Sequence, residues 1–146
     1  MKLKHRVAVI TGAGSGIGRV GAIGFAKEGA RVVVADINLF GAQETVRQIE
    51  AAGGLALAVE TDVSKRDSVG NLVARTLGAF AQVHVLFNNT AIQVKKTIED
   101  ITFEERNREF AVNLGGIFLG SKFFLPHLRK TKGSIVNMAS VNGCAT

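Results

Sequence analysis

Residues 7–18 combine a short apolar run with closely spaced glycines, a pattern that suits the binding of a diphosphate. Val7 to Ile10 are apolar, Thr11 follows, and glycines occupy positions 12, 14, 16 and 18. Glycine allows positive φ and a close backbone approach to a diphosphate, while the free N–H groups at a helix start attract negative charge. The predicted cofactor-binding residues of this turn are Gly12, Ser15, Gly16, Ile17 and Gly18. The alternative is a glycine turn that serves only helix–strand packing.

Asp36 ends the next apolar run, 18 residues after the last glycine of the turn. In a doubly wound nucleotide-binding fold, a carboxylate at this place accepts hydrogen bonds from the adenosine ribose and repels a 2′-phosphate. Neither Ile37 nor Asn38 adds a positive charge beside it, so the sequence predicts NAD, contacted by Asp36 and Ile37, rather than NADP. Arg19 and Arg31 leave NADP open as the less favoured cofactor, and a surface aspartate in a turn is the alternative without a cofactor.

The elements that would position these residues follow from an alternation of short β-branched runs and longer helical patterns. The predicted strands are Arg6–Thr11, Arg31–Asp36, Leu55–Glu60, Val83–Asn88 and Ser134–Ala139. The predicted helices are Gly16–Gly29, Leu39–Ala52, Lys65–Phe80 and Phe103–Leu128. The side chains of the first helix expected to face the sheet are Ile17, Val20, Ile23 and Phe25. Ser64 is expected to cap the third helix, and Pro126 to kink or stop the fourth.

This alternation predicts an α/β fold: a Rossmann-like doubly wound parallel sheet of about five strands, in the order 3-2-1-4-5, with helices on both faces. With 47% hydrophobic and 21% charged residues, the chain has the composition of a soluble globular protein. No linker-like stretch separates the elements, so we expect a single domain over residues 1–146.

The charge balance and the cysteine count weigh against several other classes of function. The 18 basic and 12 acidic residues give a net charge of +6. The basic residues are scattered and no tyrosine or tryptophan lies among them, so solvated surface charge is favoured over nucleic-acid binding, which stays the alternative. The one cysteine, Cys144, permits neither a disulfide nor a zinc cluster, so no metal is expected and a cytoplasmic setting fits. No apolar run reaches membrane-spanning length.

Several further residues match, in chain order, the motifs of one protein family. The matches are the frame Thr11-Gly12-x-x-x-Gly16-x-Gly18, then Asp62-Val63, Asn88-Asn89, Asn113 and Ser140. Over about residues 6–143 the chain resembles the short-chain dehydrogenase/reductase family. The resemblance implies an NAD(P)-dependent oxidoreductase that moves hydride between nicotinamide and an alcohol or ketone.

The resemblance also implies roles for individual residues. Asp62 would accept a hydrogen bond from the adenine amine and Val63 would pack on its ring, although Asp62 could equally cap the next helix. Asn113 would bend its helix and hold a water in a proton relay, or else would satisfy neighbouring backbone. Ser140 would hydrogen-bond the substrate. Asn113 and Ser140 are therefore the candidate catalytic residues.

The motif after the fourth strand departs from the family pattern. The family carries Asn-Asn-Ala-Gly, and this chain has Asn88-Asn89-Thr90-Ala91. Asn89, Thr90 and Ala91 are still expected to contact the cofactor. The added side-chain atoms at positions 90 and 91 could crowd that cofactor, or force a backbone that only glycine adopts freely.

The resemblance also lacks its catalytic pair. The family's Tyr-x-x-x-Lys would follow Ser140 on the next helix, whereas the chain contains no tyrosine and ends six residues after that serine. We therefore expect the cofactor-binding part only, cut short of the family's seven strands, with little turnover because general acid–base groups are missing. A catalytically silent NAD-binding module is the alternative. The last strand would be an unpaired edge, so we expect a homo-oligomer or aggregation.

Overall fold

A computed structural model describes residues 1–140, which form a sheet with helices on both sides. The strands are β1 (Val7–Thr11), β2 (Arg31–Asp36), β3 (Leu55–Glu60), β4 (Val85–Asn88) and β5 (Ser134–Asn137). The helices are α1 (Gly16–Lys27), α2 (Leu39–Ala51), α3 (Arg66–Phe80), α4 (Phe103–Phe110) and α5 (Gly116–Thr131), and a π-helical turn, Ala111–Gly115, joins α4 to α5. Within the described residues, no helix is long and apolar enough to cross a membrane.

The strands pair in parallel in the order β3-β2-β1-β4-β5, which confirms the predicted Rossmann-like sheet. β1 lies at the centre, where Val9 is paired with Val33 of β2 on one side and with Leu86 of β4 on the other. The connection after β1 leads towards β2, and the connection after β4 leads towards β5. The two connections therefore diverge at the carboxyl end of β1, and such a divergence opens a crevice beside Thr11.

Apolar side chains fill a core on each face of the sheet. On one face, Val7 and Val9 belong to a cluster with residues of α3 and α5, in which Phe124 is fully buried. On the other face, Ala8 and Ile10 pack with residues of α1 and α2. A strand covered on both sides must be apolar at consecutive positions, which is why the run from Val7 to Ile10 does not alternate.

Helix α1 approaches the sheet through small residues rather than through its larger apolar ones. Ile17 and Val20 are 69% and 72% exposed, so the prediction that they face the sheet is wrong. The buried positions of α1 are Gly18 and Ala22, whose small size brings the helix backbone close to the strands. Beyond this contact the larger side chains do turn inward, as predicted for Ile23 and Phe25, which pack against the core.

The fourth predicted helix is interrupted at a different place from the one expected. It continues through Pro126 to Thr131, so the expected stop near Pro126 is wrong. The break in α-helical geometry lies instead at Ala111–Gly115. Phe124 and Leu128 are buried on either side of Pro126, and this packing offsets the hydrogen bond that proline cannot donate.

Helix α3 begins without the predicted cap. Lys65 occupies the N-cap position and makes no side-chain bond to the helix start. Ser64 instead donates its hydroxyl to Oδ1 of Asp62 at 2.6 Å, so this serine closes the turn that precedes the helix. Three strand ends also differ from the prediction, since β1 begins at Val7, β4 begins at Val85 and β5 ends at Asn137.

A buried histidine joins the beginnings of β1 and β4. Nδ1 of His84 accepts a hydrogen bond from the Val7 N–H at 3.0 Å, and the His84 N–H donates to the Val7 carbonyl at 2.8 Å. Burial lowers the pKa of His84 below its ordinary value of 6.5, and the positive charges of Arg6 and Arg31 lower it further. The fold therefore needs the neutral imidazole, because protonation would occupy the lone pair that Val7 uses.

We predict that the free energy of unfolding decreases as the pH falls from 6.5 towards the lowered folded-state pKa of His84. In that window the unfolded chain binds more protons than the folded chain, so acid favours unfolding, and above 6.5 the contribution of His84 is complete. Urea unfolding at about pH 7.5 and about pH 5.5 measures the loss. The control is H84N, whose amide oxygen can accept the same bond but does not titrate. Equal losses in both proteins would contradict the assignment.

Candidate nucleotide-binding site

A cavity of about 440 Å³ lies at the carboxyl ends of the central strands. It is lined by every residue that the sequence predicted to contact a cofactor: Gly12, Ser15, Gly16, Ile17, Gly18, Asp36, Ile37, Asp62, Val63, Asn89, Thr90 and Ala91. The sequence interpretation missed a further group of lining residues: Thr61, Ser64, Ile92, Arg108 and Val112. The cavity thus collects segments that are far apart in the chain at the edge where open α/β sheets bind ligands.

The turn between β1 and α1 forms one wall of the cavity and depends on its glycines. Gly12 and Gly16 have φ values of 64° and 52°, in the left-handed region that other residues rarely adopt. Gly18 packs directly on the turn, because a Cβ at this position would lie 2.1 Å from the Gly12 carbonyl oxygen. Both features fold the chain back tightly, so that the first turn of α1 borders the cavity.

The first turn of α1 has no side-chain cap. Ser15 occupies the N-cap position without bonding to the helix start, and no acidic residue lies in the first turn. Helix α3 also lacks a side-chain cap but has Asp67 in its first turn, whereas α2 is capped by Asn38 and α4 begins with a capping box formed by Thr102 and Glu105. The leading N–H groups of α1 and the positive end of its dipole are therefore left for an anion in the cavity.

Asp36 ties the turn to the second strand and keeps capacity for a ligand. Its Oδ2 accepts from the Gly14 N–H at 2.8 Å and its Oδ1 accepts from the Asn38 N–H at 2.9 Å. Gly14 must lack a side chain here, because a Cβ would lie 2.8 Å from the carboxylate. Each carboxylate oxygen can accept more than one hydrogen bond, so Asp36 can also receive the hydroxyls of a bound sugar.

Arg19 and Arg31, the two arginines for which NADP was kept as the less favoured cofactor, both contact other residues of the protein. Arg19 donates to the Gly14 carbonyl and, at 3.0 Å, to the hydroxyl of Thr45, so its guanidinium clamps the turn to α2. Arg31 begins β2, five residues before Asp36, which places its backbone about 16 Å away along the strand. Its guanidinium lies 5.6 Å from the ring centre of Phe80.

Thr11 and Asn89 join the ends of β1 and β4 at the floor of the cavity. The Thr11 hydroxyl accepts from the N–H groups of Asn89 and Thr90 at 3.0 and 3.2 Å. The Asn89 amide donates to the carbonyls of Thr11 and Gly12 at 3.0 and 3.3 Å. The amide nitrogen of Asn89 thus ties the turn to the end of β4.

The exchange of the family's Ala-Gly for Thr90-Ala91 does not strain the backbone. Within residues 1–140, the non-glycine residues with positive φ are His5, Ala81 and Lys132. The suggested strain at Thr90 and Ala91 is therefore absent. What the exchange adds is a threonine hydroxyl, whose oxygen is buried and has no hydrogen-bond partner among the described residues.

Asp62 and Val63 line the cavity from the turn between β3 and α3. Oδ1 of Asp62 accepts from the N–H and the hydroxyl of Ser64 at 2.9 and 2.6 Å, so this carboxylate stabilises the turn before α3 rather than capping the helix. Val63 is 6% exposed. Helix α5 can pass close to it because position 116 is glycine, where a Cβ would lie 2.9 Å from a Val63 methyl group.

Asn113 lies in the π-helical turn and clamps the loop after β4. Its Oδ1 accepts from the Ile92 N–H at 2.9 Å, and its Nδ2 donates to the Ile92 carbonyl at 2.8 Å. Asn113 does not itself line the cavity, but Ile92 does. Both expectations for this residue have a structural counterpart, since the helix is irregular here and the amide satisfies neighbouring backbone. The proton relay stays a prediction.

Ser140 is the last residue that the structure describes and lies three positions beyond the end of β5. Its side chain is exposed and is not among the residues that line the cavity. It follows the carboxyl end of the sheet, as expected for a residue at the substrate side. Its substrate contact stays a prediction.

Two of the missed residues, Arg108 and Val112, are spaced as one face of a helix, although this spacing does not show that the face reaches the cavity. Arg108, Val112, Gly116 and Gly120 follow one another at intervals of four, the spacing of one helix face. The two glycines mark where the helix crosses the sheet closely, since a Cβ on Gly120 would lie 2.7 Å from Oδ1 of Asn88. Arg108 makes no ion pair with any residue in the described part of the chain, so its charge is available at the cavity.

A family model described as short chain dehydrogenase matches residues 6–146. The chain belongs to the short-chain dehydrogenase family. It is 39% identical over 145 residues to meso-2,3-butanediol dehydrogenase of Serratia marcescens, covering 98% of this chain and 56% of that protein. It is also 39% identical over 145 residues to cyclohexanol dehydrogenase of an Acinetobacter species, covering 97% of this chain and 57% of that protein.

A solved structure of a family member from Burkholderia phymatum in complex with NAD has a similar fold. It is 36% identical, with a TM-score of 0.95 over 100% of this chain and 53% of that protein. The match to this chain therefore extends through the whole described sheet and its helices. The chain spans a little over half the length of the curated relatives it matches.

We predict that G18A lowers the free energy of unfolding by about 1–3 kcal/mol, because its methyl group would overlap the Gly12 carbonyl. G24A, on the same helix but with nothing within 4 Å of the added methyl, is expected to raise it by about 0.5–1 kcal/mol. Urea unfolding of both variants measures the difference. Equal effects of the two changes would show that Gly18 is not the contact residue.

We predict that N113A loses about 1–3 kcal/mol of stability, because both Ile92 backbone groups would lose their partner. Hydrogen exchange at the Ile92 amide should accelerate more than exchange in β1. The matched control is N107A, an exposed asparagine on α4, which should alter neither quantity. An unchanged Ile92 exchange rate in N113A would mean that the clamp does not hold this loop.

Proposed function

We propose that this chain is the dinucleotide-binding part of a short-chain dehydrogenase that uses NAD to move hydride between an alcohol and its ketone. One observation carries the proposal: the uncapped start of α1 and the Asp36 carboxylate line the same cavity. A site for an anion next to an acceptor for hydroxyl groups matches the diphosphate and the ribose of adenosine diphosphate. The residues present therefore fit a nicotinamide dinucleotide.

Each wall of the cavity has a proposed part in binding. The N–H groups at residues 16–18 bind the diphosphate, and Asp36 with Ile37 binds the adenosine ribose. Asp62 accepts from the adenine amine, and Val63 packs against its ring. Asn89, Thr90 and Ala91 border the path towards the nicotinamide, which supplies the hydride acceptor or donor when bound.

NAD is proposed over NADP because of the charges around Asp36. A 2′-phosphate would face this carboxylate, and like charges at short range repel. Ile37 and Asn38 provide no cation. Arg19 is engaged with Gly14 and Thr45, and Arg31 begins the strand that Asp36 ends. The NAD complex of the Burkholderia phymatum relative supports the same choice.

The proposed substrate is an alcohol or ketone whose oxygen is bound by Ser140. Asn113 acts as a positioning residue behind the loop at Ile92 and supports the proton relay. The relatives named for butanediol and cyclohexanol support an alcohol on a short chain or a ring. We further propose one domain, a cytoplasmic setting and a homo-oligomer.

A second candidate is a nucleotide-binding module without turnover. It is favoured by one observation, the absence of tyrosine from the 146 residues, because a phenol is then not available as an acid or base. Both candidates share the cofactor site. They differ in one measurement, since only the dehydrogenase changes the absorbance of the nicotinamide when an alcohol or ketone is added.

We predict that the 146-residue chain binds NAD in isothermal titration calorimetry and that D36A weakens this binding about 10- to 100-fold, as expected when hydrogen bonds to a charged group are lost. The affinity for NADP should fall less than the affinity for NAD or should rise, because the repulsion of the 2′-phosphate is removed. The ratio of the two affinities is the decisive quantity, since damage to the turn through Gly14 would weaken both cofactors equally.

The matched control for D36A is E50A, an exposed carboxylate near the end of α2, which should leave the affinities for both cofactors unchanged. Circular dichroism confirms that each variant is folded. No uptake of NAD or NADP by the folded, unaltered chain would refute the proposal. An unchanged NAD to NADP ratio in D36A would remove Asp36 from the site.

A further inference from the structure

Thr90 has an unsatisfied hydroxyl at the floor of the cavity. Among residues 1–140, its Oγ1 is the one buried side-chain nitrogen or oxygen without a hydrogen-bond partner. Buried polar groups are nearly always paired, so an exception requires an explanation. The dinucleotide roles proposed above do not use this hydroxyl.

The position of the hydroxyl connects it to the glycine turn. Thr90 lines the cavity, and its Oγ1 lies 3.1 Å from the place that a Cβ on Gly12 would occupy. Gly12 has no Cβ and lines the same cavity, so the hydroxyl lies against bare backbone. The neighbouring polar side chains are already engaged, because the Thr11 hydroxyl accepts two N–H groups and the Asn89 amide donates to two carbonyls.

We propose that the Thr90 hydroxyl is a binding group for the dinucleotide, donating a hydrogen bond to a ligand oxygen that lies along Gly12. This inference rests on the proposed function. The oxygen belongs either to the diphosphate or to the ribose on the nicotinamide side, and both accept a hydrogen bond from a hydroxyl. A threonine side chain has three staggered χ1 positions, so a rotation about one bond can turn the hydroxyl towards a ligand.

The proposal predicts effects of opposite sign on stability and on affinity. In the free chain, the unpaired hydroxyl costs stability, so its removal at constant shape should leave the chain equally stable or more stable. In the complex, the hydroxyl is paired, so the same removal should weaken binding. A hydroxyl that only supports the fold would give the reverse result, with a less stable chain and an unchanged affinity.

The experiment compares T90V, T90S and the unaltered 146-residue chain. Valine keeps the branched shape without the hydroxyl, and serine keeps the hydroxyl without the methyl group. Calorimetry measures the Kd for NAD and for ADP, and thermal unfolding of the free chain measures stability. T90V should weaken NAD binding about two- to tenfold with an equal or higher Tm, and T90S should bind NAD as the unaltered chain does.

The ADP measurement separates the two possible oxygens. A weaker binding of both ADP and NAD by T90V assigns the bond to the diphosphate, and a weaker binding of NAD alone assigns it to the second ribose. The matched control is T76V, in which the buried hydroxyl is already paired with the Leu72 carbonyl at 2.7 Å, outside the cavity. It should leave the affinity unchanged.

An NAD affinity in T90V that equals or exceeds that of the unaltered chain overturns the proposal, and a tighter binding would mean that Thr90 crowds the ligand. If T90V does not fold, T90A removes the same hydroxyl with less bulk, and the same comparison of its Kd with that of T90S decides. Failure of the unaltered chain to bind either nucleotide overturns the proposed function itself, which distinguishes that outcome from a failure of Thr90 alone.

Discussion

The leading N–H groups of α1 lack a side-chain cap, and the surroundings of the cavity are arranged around this open helix end. An uncapped helix start needs another partner for its donors, and a bound anion is such a partner. The turn before the helix brings these donors to the cavity because Gly12 and Gly16 adopt left-handed backbone angles. Asp36 then holds the turn through the Gly14 N–H, so one carboxylate both fixes the open helix end and lines the cavity beside it.

Small residues allow the secondary-structure elements to approach each other at the site. Gly18 lies on the Gly12 carbonyl, Gly116 lies on Val63, and Gly120 lies on the Asn88 side chain. In each case an added Cβ would lie under 3 Å from its neighbour. The site therefore depends on the absence of side chains as much as on their presence, and the larger polar groups, such as Arg19, secure the backbone that results.

The sequence predicted the sheet and its strand order because each strand of a covered parallel sheet is a continuous apolar run bounded by turn residues. It also predicted the residues around the glycine turn, since these are adjacent in the chain and follow one strand.

Arg108 and Val112 were missed because they reach the cavity only through the packing of a distant helix. The prediction that Ile17 and Val20 face the sheet was wrong, because hydrophobic periodicity does not reveal that a helix packs through glycine and alanine. The clamp between Asn113 and Ile92 joins residues 21 positions apart through a tertiary contact, and such a contact leaves no mark on the local sequence pattern.

The π-helical turn changes which residues of one long helical segment share a side. Arg108 borders the cavity and Phe124 fills the core, and 124 − 108 = 16 residues separate them. At about 100° per residue, a regular α-helix would place them about 160° apart, on nearly opposite sides. The wider turn absorbs about one residue, which reduces the angle to about 60°. The same segment can therefore face the cavity with its first half and the sheet with its second half. An evolutionary deletion of a single residue between 111 and 115 would break this phase relation without altering the residues of either surface.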